Sequence, residues 1–522
     1  MPEHLRALVP ILVLAGVVFA LGRRPATDFA VSPQDFVRRR NLWFAVTLIA
    51  FLSHNYWLFA GFTSLVLLSA GRRETNITAL FVWLLFAVPA FSKQIPGFGV
   101  INQVMTIDYL RLLSICLLLP AFFGLWHRAR AERSGWLTTD YLILLYLLIE
   151  LALRFSVDSA TNTARYGVYA LLDVVLPYYV ASRSLREISQ FRDLAMSFVV
   201  AAMVLALIGI FEVAKGWLVY ATLDDVLGGR WGYSNYLARS GTLRAQGSVG
   251  QPIPLGYVMV VALALHAYLA PFIKSRALWW LGFSLLGLGL VASVSRGPWI
   301  GAAVGLIVFK LTGPNAVGGA LKAALVVGAV CGLVLMSPWG AGIVDLLPFV
   351  GTVETGNIDY RQQLLETGVM LILREPWFGV SGYMSQLVSN ELVIGGMVDV
   401  VNTYLGIGLA YGVIALACFV GVFVVIARNA FFAMRHLRDP HDEARLLGCG
   451  ILACFVGIGV TIFTTSSITV IPVIYWTMAG VGAGFVTMLR RQAVSRAVDP
   501  RGRVDPRGAA RRFVPRPGAR VS

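Results

Sequence analysis

The 522-residue sequence has little charge: 13% of its residues are Asp, Glu, Lys or Arg, whereas 57% are hydrophobic. The mean hydropathy of +0.74 is far above that of a soluble domain. Apolar runs of about 20 residues, enough to cross a hydrocarbon core, recur along the chain. The alternation of polar and apolar residues typical of a membrane β-barrel is absent. The sequence therefore predicts an all-α polytopic membrane protein.

Cysteine is also scarce. The five cysteines lie in apolar runs, and their spacing fits neither a set of metal ligands nor a disulfide framework. They are Cys116, Cys331, Cys418, Cys449 and Cys454. We expect them to pack as small hydrophobic residues, with no zinc site.

About 12–15 membrane segments are predicted. We place them near residues 6–21, 41–70, 76–91, 109–126, 138–154, 165–181, 194–216, 252–271, 276–293, 297–312, 318–337, 402–426, 446–464 and 468–488. The stretch 41–70 is too long for one span, and arginines flank both its ends, so a hairpin is favoured. The first segment is followed by Arg23 and Arg24, the reverse of a secretory signal, which predicts a span with its N-terminus outside.

Lys and Arg are concentrated in loops that fall on one side of these spans. The basic loops are 22–40, 71–75, 127–137, 182–193, 272–277, 427–445 and the tail, and the positive-inside rule makes this side cytoplasmic. The opposite, outer face receives two long connections, 217–251 and 338–401. Loops longer than about 15 residues are usually functional. We therefore expect the chemistry on the outer face, with short amphipathic helices in the longer loop.

The net charge of +16 is concentrated in the C-terminal tail. Ten arginines lie between Arg490 and Arg520, beside only Asp499 and Asp505. Such a tail is typical of a disordered cytoplasmic end near anionic lipid rather than of a protein that reads nucleic acid. The predicted organisation is N-terminal membrane helices (1–164), a membrane core with the outer loops (165–489) and a basic tail (490–522).

Three arginines on the outer face are candidates for binding a phosphate-bearing substrate. Arg244 lies in "TLRAQGSVGQPIPLG", Arg296 lies in "SVSRGPWIG", and Arg361 lies in "DYRQQLLETG". The planar guanidinium can hold two phosphate oxygens and stays charged at any working pH. For Arg296 the alternative is a snorkelling anchor or a clamp on the turn that "RGP" predicts.

Arg361 occupies an unusual position. The sequence "GNIDYRQQLLETGVMLILREP" predicts a helix capped by Asn357 or Asp359 and closed by Pro376. A cation in the first turn opposes the helix dipole, although Asp359 partly neutralises it, whereas Arg374 in the last turn agrees with the dipole. A functional role is therefore favoured for Arg361 and is not needed for Arg374.

Acidic residues supply candidates for proton transfer. In "GGMVDVVNTYL", Asp399 could accept the proton of a sugar hydroxyl and Asn402 could orient the acceptor; the alternative is that they cap a helix. Asp173 lies inside the apolar segment "YGVYALLDVVLPYYV". It is either functional or paired with an arginine of a neighbouring helix.

Four stretches in series resemble the O-antigen polymerase/ligase superfamily over residues 165 to 490. They are "RAQGSVGQPIPLG", "SVSRGPWIG", "YRQQLLETGVMLILREPWFGVSGY" and "VNTYLGIGLAYGVIAL". The resemblance implies a multi-span glycosyltransferase of the bacterial inner membrane. Such an enzyme takes a glycan from undecaprenyl diphosphate at the periplasmic face, and a long periplasmic loop contributes to its site. The family's arginine motifs fall on Arg244, Arg296 and Arg361. "PWFGVSGY" matches the family's P-x-x-G-x-G pattern, except that Ser381 is interposed before Gly382.

One departure from the family concerns the general base. Ligases of this family carry a His-Asn pair where this chain has Val401-Asn402. Neither long outer loop contains a histidine. His54, His127, His266, His436 and His441 map to membrane or cytoplasmic positions, and His4 to the extreme N-terminus. The departure favours the branch that resembles repeat-unit polymerases of capsule or exopolysaccharide, with Asp399 as the first candidate base and Glu366 as the second.

The resemblance also implies the substrates. Donor and acceptor would be undecaprenyl-diphosphate-linked glycans, with no metal or cofactor required, and a flippase and export proteins would be partners. Arg296, Asn402, Asp359, Tyr360 and Tyr404 are expected to bind substrate, and Arg361, Asp399, Arg244 and Glu366 to be catalytic. Two alternatives remain open at this point. One is a ligase that moves finished glycan to a lipid or protein; the other is a transporter or lipid flippase, which Asp173 supports and the lack of an internal repeat disfavours.

Overall fold

The computed structural model describes residues 2–97, 99, 102–131, 135–228, 235–239, 241–313, 318–319, 355–380, 382–389, 392, 399–437, 439 and 441–497. The first half contains α1 (Glu3–Thr27), α2 (Pro33–Leu52), α3 (Tyr56–Gly71), α4 (Ile77–Leu84), β1 (Ser92–Pro96), β2 (Gln103–Asp108), α5 (Tyr109–Ala131), α6 (Thr138–Val157), α7 (160–184) and α8 (Ile188–Lys215). Single π-helical turns interrupt α5 at Ser114–Leu118 and α7 at Leu171–Val175.

The second half continues with α9 (Leu223–Leu227), β3 (Ala238–Arg239), β4 (Thr242–Leu243), α10 (Pro252–Leu269), α11 (Arg276–Ala292), α12 (Arg296–Thr312), α13 (Thr355–Arg374), α14 (Tyr383–Ser389), α15 (Thr403–Arg435), α16 (Glu443–Ile462) and α17 (Ile471–Ala497). The strands form two small antiparallel hairpins, β1–β2 and β3–β4. Neither hairpin was predicted.

The prediction of an all-α polytopic membrane protein is confirmed. In the described part of the chain, seven helices are long and apolar enough to span a membrane: α1, α5, α8, α10, α15, α16 and α17. Other predicted spans form shorter apolar helices, such as α3 and α11. The predicted span 76–91 forms only the eight-residue α4 before the chain turns towards β1. The predicted span 318–337 lies outside the described residues, apart from 318–319.

The stretch 41–70 is a helical hairpin, as the flanking arginines predicted. Helix α2 ends at Leu52, and Asn55 begins α3 by accepting a hydrogen bond from the backbone N–H of Leu58. The mapping of His54 was wrong. Arg38–Arg40 lie near the start of α2, at the end of the hairpin that carries the basic loops. The turn that contains His54 lies at the other end of the hairpin, and His54 is exposed there.

Ion pairs hold the predicted basic loops together at one end of the helix bundle. They join Arg39 to Glu74 (2.7 Å) and Asp193 (2.6 Å), Lys274 to Asp28 (3.5 Å), Arg192 to Glu443, and Arg183 to Asp140. The prediction that these six loops share one side is therefore confirmed, and we call this side the basic face; the tail beyond residue 497 lies outside the described residues. Glu3, in contrast, accepts a hydrogen bond from the Trp217 indole at 3.1 Å, beyond the far end of α8. The N-terminus thus lies at the opposite face.

A seam of small residues brings α12 and α16 close together. Gly297, Gly301 and Gly305 follow one another at intervals of four residues along α12. A Cβ built on Gly301 would lie 2.3 Å from the Thr461 hydroxyl, and one on Gly305 would lie 3.0 Å from the Ala453 carbonyl oxygen. Small residues at this spacing allow helix backbones to approach closely in a membrane. The seam fixes the start of α12, where Arg296 stands, against the loop that follows α16.

A kink in α15 anchors the outer segment that contains α13 and α14. Gly412 has a φ of 79° inside the helix. At this kink the N–H of Val413 donates to the Pro376 carbonyl (2.8 Å), and the N–H of Val380 donates to the Leu409 carbonyl (2.8 Å). A Cβ on Gly412 would lie 2.3 Å from the Trp377 carbonyl oxygen. The turn after α13 is therefore inserted into the broken helix, which explains why glycine is needed at this point.

Candidate functional site

Arg244 is positioned by a buried acid at the end of α8. The Glu212 carboxylate is 1% exposed and accepts hydrogen bonds from the backbone N–H groups of Val219 (3.2 Å), Gln246 (2.9 Å) and Gly247 (2.8 Å). These bonds satisfy the carboxyl oxygens of Glu212 and fix the backbone two and three residues after Arg244. The guanidinium of Arg244 in turn donates to the Ser293 carbonyl (3.4 Å) and the Ser295 hydroxyl (3.0 Å).

The turn between α11 and α12 brings a further arginine to the same place. Arg239, in β3, donates to the Val294 carbonyl at 3.3 Å. Val294 has a φ of 44°, a left-handed conformation that a β-branched residue rarely adopts. The tight turn predicted from "RGP" thus lies just before that motif, and Arg296 itself begins α12. Arg239 and Arg244 both contact this turn.

The loop between α16 and α17 joins the turn to α13. The guanidinium of Arg361 donates to the Thr464 carbonyl at 3.3 Å. A Cβ on Gly297 would lie 1.9 Å from the Thr464 hydroxyl, so the residue after Arg296 packs directly on the same loop. The start of α12 and the side chain of Arg361, which are remote in sequence, therefore meet at Thr464.

Asp399 completes the group of charged side chains. Its carboxylate is exposed and accepts a hydrogen bond from the Ser466 hydroxyl at 2.6 Å, two residues beyond Thr464. Its backbone carbonyl accepts a hydrogen bond from the hydroxyl of Tyr360 at 3.0 Å. Tyr360 is buried, so it fixes the approach to α15 beside α13.

The neighbouring charges affect the pKa of Arg361. Although the Arg361 side chain is open to solvent on one side, desolvation by the surrounding protein lowers its pKa. Repulsion by Arg239 and Arg296 lowers the pKa further, and attraction by Asp399 opposes the change. We call Arg239, Arg244, Arg296 and Arg361, with Asp399 beside them, the arginine cluster. Its guanidinium groups remain charged and are suited to binding a polyanion.

Strained backbone accompanies the cluster. The two described non-glycine residues with positive φ are Val294, at 44°, and Thr469, at 49°. Val294 lies in the turn that Arg239 and Arg244 contact, and Thr469 lies in the loop that contacts Arg361 and Asp399. Such conformations cost about 1–3 kcal/mol each and tend to collect at functional sites. The strain therefore points to the same place as the arginines.

Several of the predicted site residues make contacts that stabilise the fold. The Asn402 side chain caps α15 by accepting from the backbone N–H groups of Tyr404 (3.0 Å) and Leu405 (3.1 Å). The Tyr404 hydroxyl donates to the Gly459 carbonyl at 3.1 Å and so ties α15 to α16. Glu366 is exposed and accepts a hydrogen bond from Gln362, one turn earlier in α13. The side chain of Asp359 lies outside the described residues.

Two further expectations can be compared with the structure. Helix α13 includes Thr355, so neither Asn357 nor Asp359 caps it, and Arg361 stands in its second turn rather than its first. Asp173 pairs with Arg111 of α5 at 2.9 Å, which confirms the interpretation of Asp173 as one half of an interhelical ion pair. This pairing removes the observation that best supported a transporter.

The sequence analysis missed Arg239 and the hydroxyl-rich loop "TTSSIT" at 464–469. Arg239 lies five residues before Arg244 in "LARSGTLRAQ", within the same long outer connection. The loop has the Ser/Thr composition that marks turns between spans. Both signals were present in the sequence, but nothing there indicated that Thr464 and Ser466 would contact Arg361 and Asp399.

The comparison with known families agrees with this geometry. Residues 281–420 match the family model described as O-antigen ligase. This segment of the chain is therefore similar to an O-antigen ligase domain. The predicted resemblance to the O-antigen polymerase/ligase superfamily is thereby confirmed. The matched segment includes Arg296, Arg361 and Asp399, whereas Arg239 and Arg244 precede it. A comparison with curated proteins found no match.

Proposed function

We propose that this protein is a polymerase that joins undecaprenyl-diphosphate-linked oligosaccharide repeat units during exopolysaccharide, capsule or O-antigen synthesis. The observation that carries the proposal is the arginine cluster: guanidinium groups from three separate stretches of sequence lie close together, with an exposed carboxylate beside Arg361, on the face opposite the basic loops. The O-antigen ligase domain supports a role in glycan assembly.

In the proposed reaction, the charges of the cluster act on the leaving group. The growing chain on undecaprenyl diphosphate is the donor, and a hydroxyl at the non-reducing end of a second lipid-linked unit is the acceptor. The acceptor oxygen forms a bond to the anomeric carbon, and the bond from that carbon to the diphosphate oxygen breaks. Arg361, Arg244 and Arg296, with Arg239, stabilise the negative charge that develops on the departing undecaprenyl diphosphate.

Asp399 is the proposed general base. Its carboxylate takes the proton of the acceptor hydroxyl as the new glycosidic bond forms. The Ser466 hydroxyl orients this carboxylate by donating a 2.6 Å hydrogen bond to Oδ1 of Asp399. Glu366 is the less favoured candidate, because it is bonded to Gln362 on an exposed part of α13.

The charge distribution also supports an orientation. Because the Arg- and Lys-rich loops gather at the basic face, the positive-inside rule makes this face cytoplasmic and the arginine cluster periplasmic, in a bacterial inner membrane. The C-terminal tail then lies in the cytoplasm. A flippase would deliver lipid-linked units to the cluster, and chain-length and export proteins would receive the product.

A ligase that transfers finished glycan to a lipid or protein is the second candidate, because the matching family model is described as O-antigen ligase. The two functions leave different intermediates in a strain that lacks the gene. Loss of a polymerase leaves single repeat units on the lipid carrier, whereas loss of a ligase leaves long polymer stranded on it.

The test is the profile of lipid-linked glycans in such a null strain complemented with variants. Arg361→Ala should reduce polymerisation by about 10²–10³ at normal membrane abundance, since one stabilising donor is removed from the leaving diphosphate. Asp399→Ala should give the same short glycans. Arg374→Ala is the matched control, because it changes an exposed arginine at the far end of the same helix. Full-length polymer in the Arg361→Ala strain would refute the assignment.

A further inference from the structure

A second site opens on the basic face, opposite the arginine cluster. It is a cavity of about 500 Å³ between α5, α6 and α7. Its deeper wall is formed by aliphatic side chains of α6, among them Leu144 and Leu147, and by Val175 of α7. Trp126 and Trp136 line it nearer the basic loops and are 41% and 53% exposed. Tryptophan in this position is typical of the membrane–water interface.

The mouth of the cavity is basic. Arg130 and Arg183 line it, and an adjoining recess that shares Arg183 is lined by Arg186 and Arg491. Asp140 also faces the cavity. Its carboxylate pairs with Arg183 and accepts hydrogen bonds from the Tyr178 hydroxyl (2.8 Å) and the Leu137 N–H (2.7 Å), so its charge is compensated. Among the residues that the structure describes here, aliphatic side chains line the deeper part of the cavity, tryptophans line its middle, and positive charges outnumber negative ones at its mouth.

We propose that this cavity binds an anionic glycerophospholipid of the surrounding membrane. The phosphate headgroup lies against Arg130 and Arg491, and an acyl chain follows Leu144 and Leu147 towards the bilayer centre. The basic side chains lie where the phosphate headgroup of a lipid would be, the aromatic ones at the membrane interface, and the aliphatic ones beside the acyl chain. The basic C-terminal tail is a poor alternative occupant, because its charge has the same sign as the mouth.

Native mass spectrometry of the purified full-length chain tests the proposal. The probes are phosphatidylglycerol and phosphatidylcholine with identical acyl chains. We expect the chain to retain phosphatidylglycerol preferentially. Arg130→Gln and Arg491→Gln should each weaken its apparent affinity about fivefold, the effect of one basic residue near an anionic lipid. Arg128→Gln is the matched control, because Arg128 is an exposed arginine of the same helix that does not line the cavity.

A cavity-filling variant gives an independent readout. Leu144→Trp should reduce phosphatidylglycerol retention at least fivefold without changing the melting temperature of the lipid-free chain, because Leu144 is partly exposed and the added ring occupies the cavity. The proposal would be overturned if the chain retained both lipids equally or if Arg128→Gln lost as much affinity as the cavity variants. It would also be overturned by undiminished lipid binding in Leu144→Trp, or by full displacement of the lipid with millimolar inorganic phosphate.

Discussion

Arg39 and Arg361 stand at opposite faces of the same helical bundle in opposite electrostatic environments. Arg39 is fully buried, and burial alone would lower its pKa. Its bonds to Asp193 and Glu74 more than compensate and raise the pKa above its ordinary value. Arg361 is open to solvent, donates to a neutral carbonyl oxygen, and has its pKa lowered by desolvation and by neighbouring arginines.

The difference separates two uses of arginine. On the basic face, arginines such as Arg39, Arg183 and Arg192 are matched by acids of the same chain, so their main effect is to join loops and stabilise the fold. In the arginine cluster, Arg361 lies near the like charges of Arg239 and Arg296, and repulsion between these charges costs free energy that a bound anion would offset. A charge that the fold alone does not favour is the physical sign of a binding site.

The largest expected effect is on stability at the basic face. Arg39→Ala should lower the free energy of unfolding by about 3–5 kcal/mol, because it removes the arginine that pairs with Asp193 and one of the two arginines that pair with the buried Glu74. Unfolding in detergent, followed by tryptophan fluorescence, measures this loss. Arg40→Ala is the matched control, since Arg40 bonds only its neighbour Asn41 among the contacts described. Equal stability of the two variants would remove the contrast between the faces.

The next effect is on activity at the cluster. Arg361→Lys keeps the charge but loses the planar fork, and the loss of a charge-assisted hydrogen bond should reduce polymerisation by about 10- to 100-fold. Its thermal stability should match that of the unaltered chain, which an unfolding curve checks. Full activity in Arg361→Lys would mean that charge alone matters at this position.

A smaller effect tests the arginine that the sequence analysis missed. Arg239→Ala should reduce polymerisation about five- to tenfold, since it removes one unit of charge at the edge of a partly solvated site. Arg239→Lys should recover most of that loss. Activity equal to that of the unaltered chain in Arg239→Ala would exclude Arg239 from the functional cluster.

The smallest effect concerns the second candidate base. Glu366→Gln should change the polymerisation rate less than about twofold, because the exposed carboxylate bonds only to Gln362 among its described contacts. The comparison is with Asp399→Asn, which should lose most activity. A reversed order of the two variants would transfer the role of base to Glu366.

The sequence was informative where a local rule applies. Arginines at both ends of 41–70 predicted the hairpin, and the positive loops predicted which residues would share a face, because charge controls the orientation of each span independently of packing. Arg361 was also found locally, through its position in an amphipathic helix.

What the sequence did not show depends on contacts between distant segments. Nothing local to Thr464 indicates that its carbonyl meets Arg361, because that contact arises only when the glycine seam has brought α12 and α16 together. Asn402 shows the same limit at a single residue. A polar residue at the start of a span can bind a ligand or cap the helix, and only the hydrogen bonds from the N–H groups of Tyr404 and Leu405 show that Asn402 is a cap.

The loop between α16 and α17 has a consequence for biosynthesis. A polytopic chain enters the membrane from its N-terminus, so the ribosome has already released Arg244, Arg296, Arg361 and Asp399 when residues 464–469 emerge. Until that moment the side chains of Arg361 and Asp399 lack their hydrogen bonds to Thr464 and Ser466. A nascent chain interrupted shortly after α15 would contain every proposed catalytic residue and still lack an assembled site, so activity should begin only with synthesis of the last helix pair.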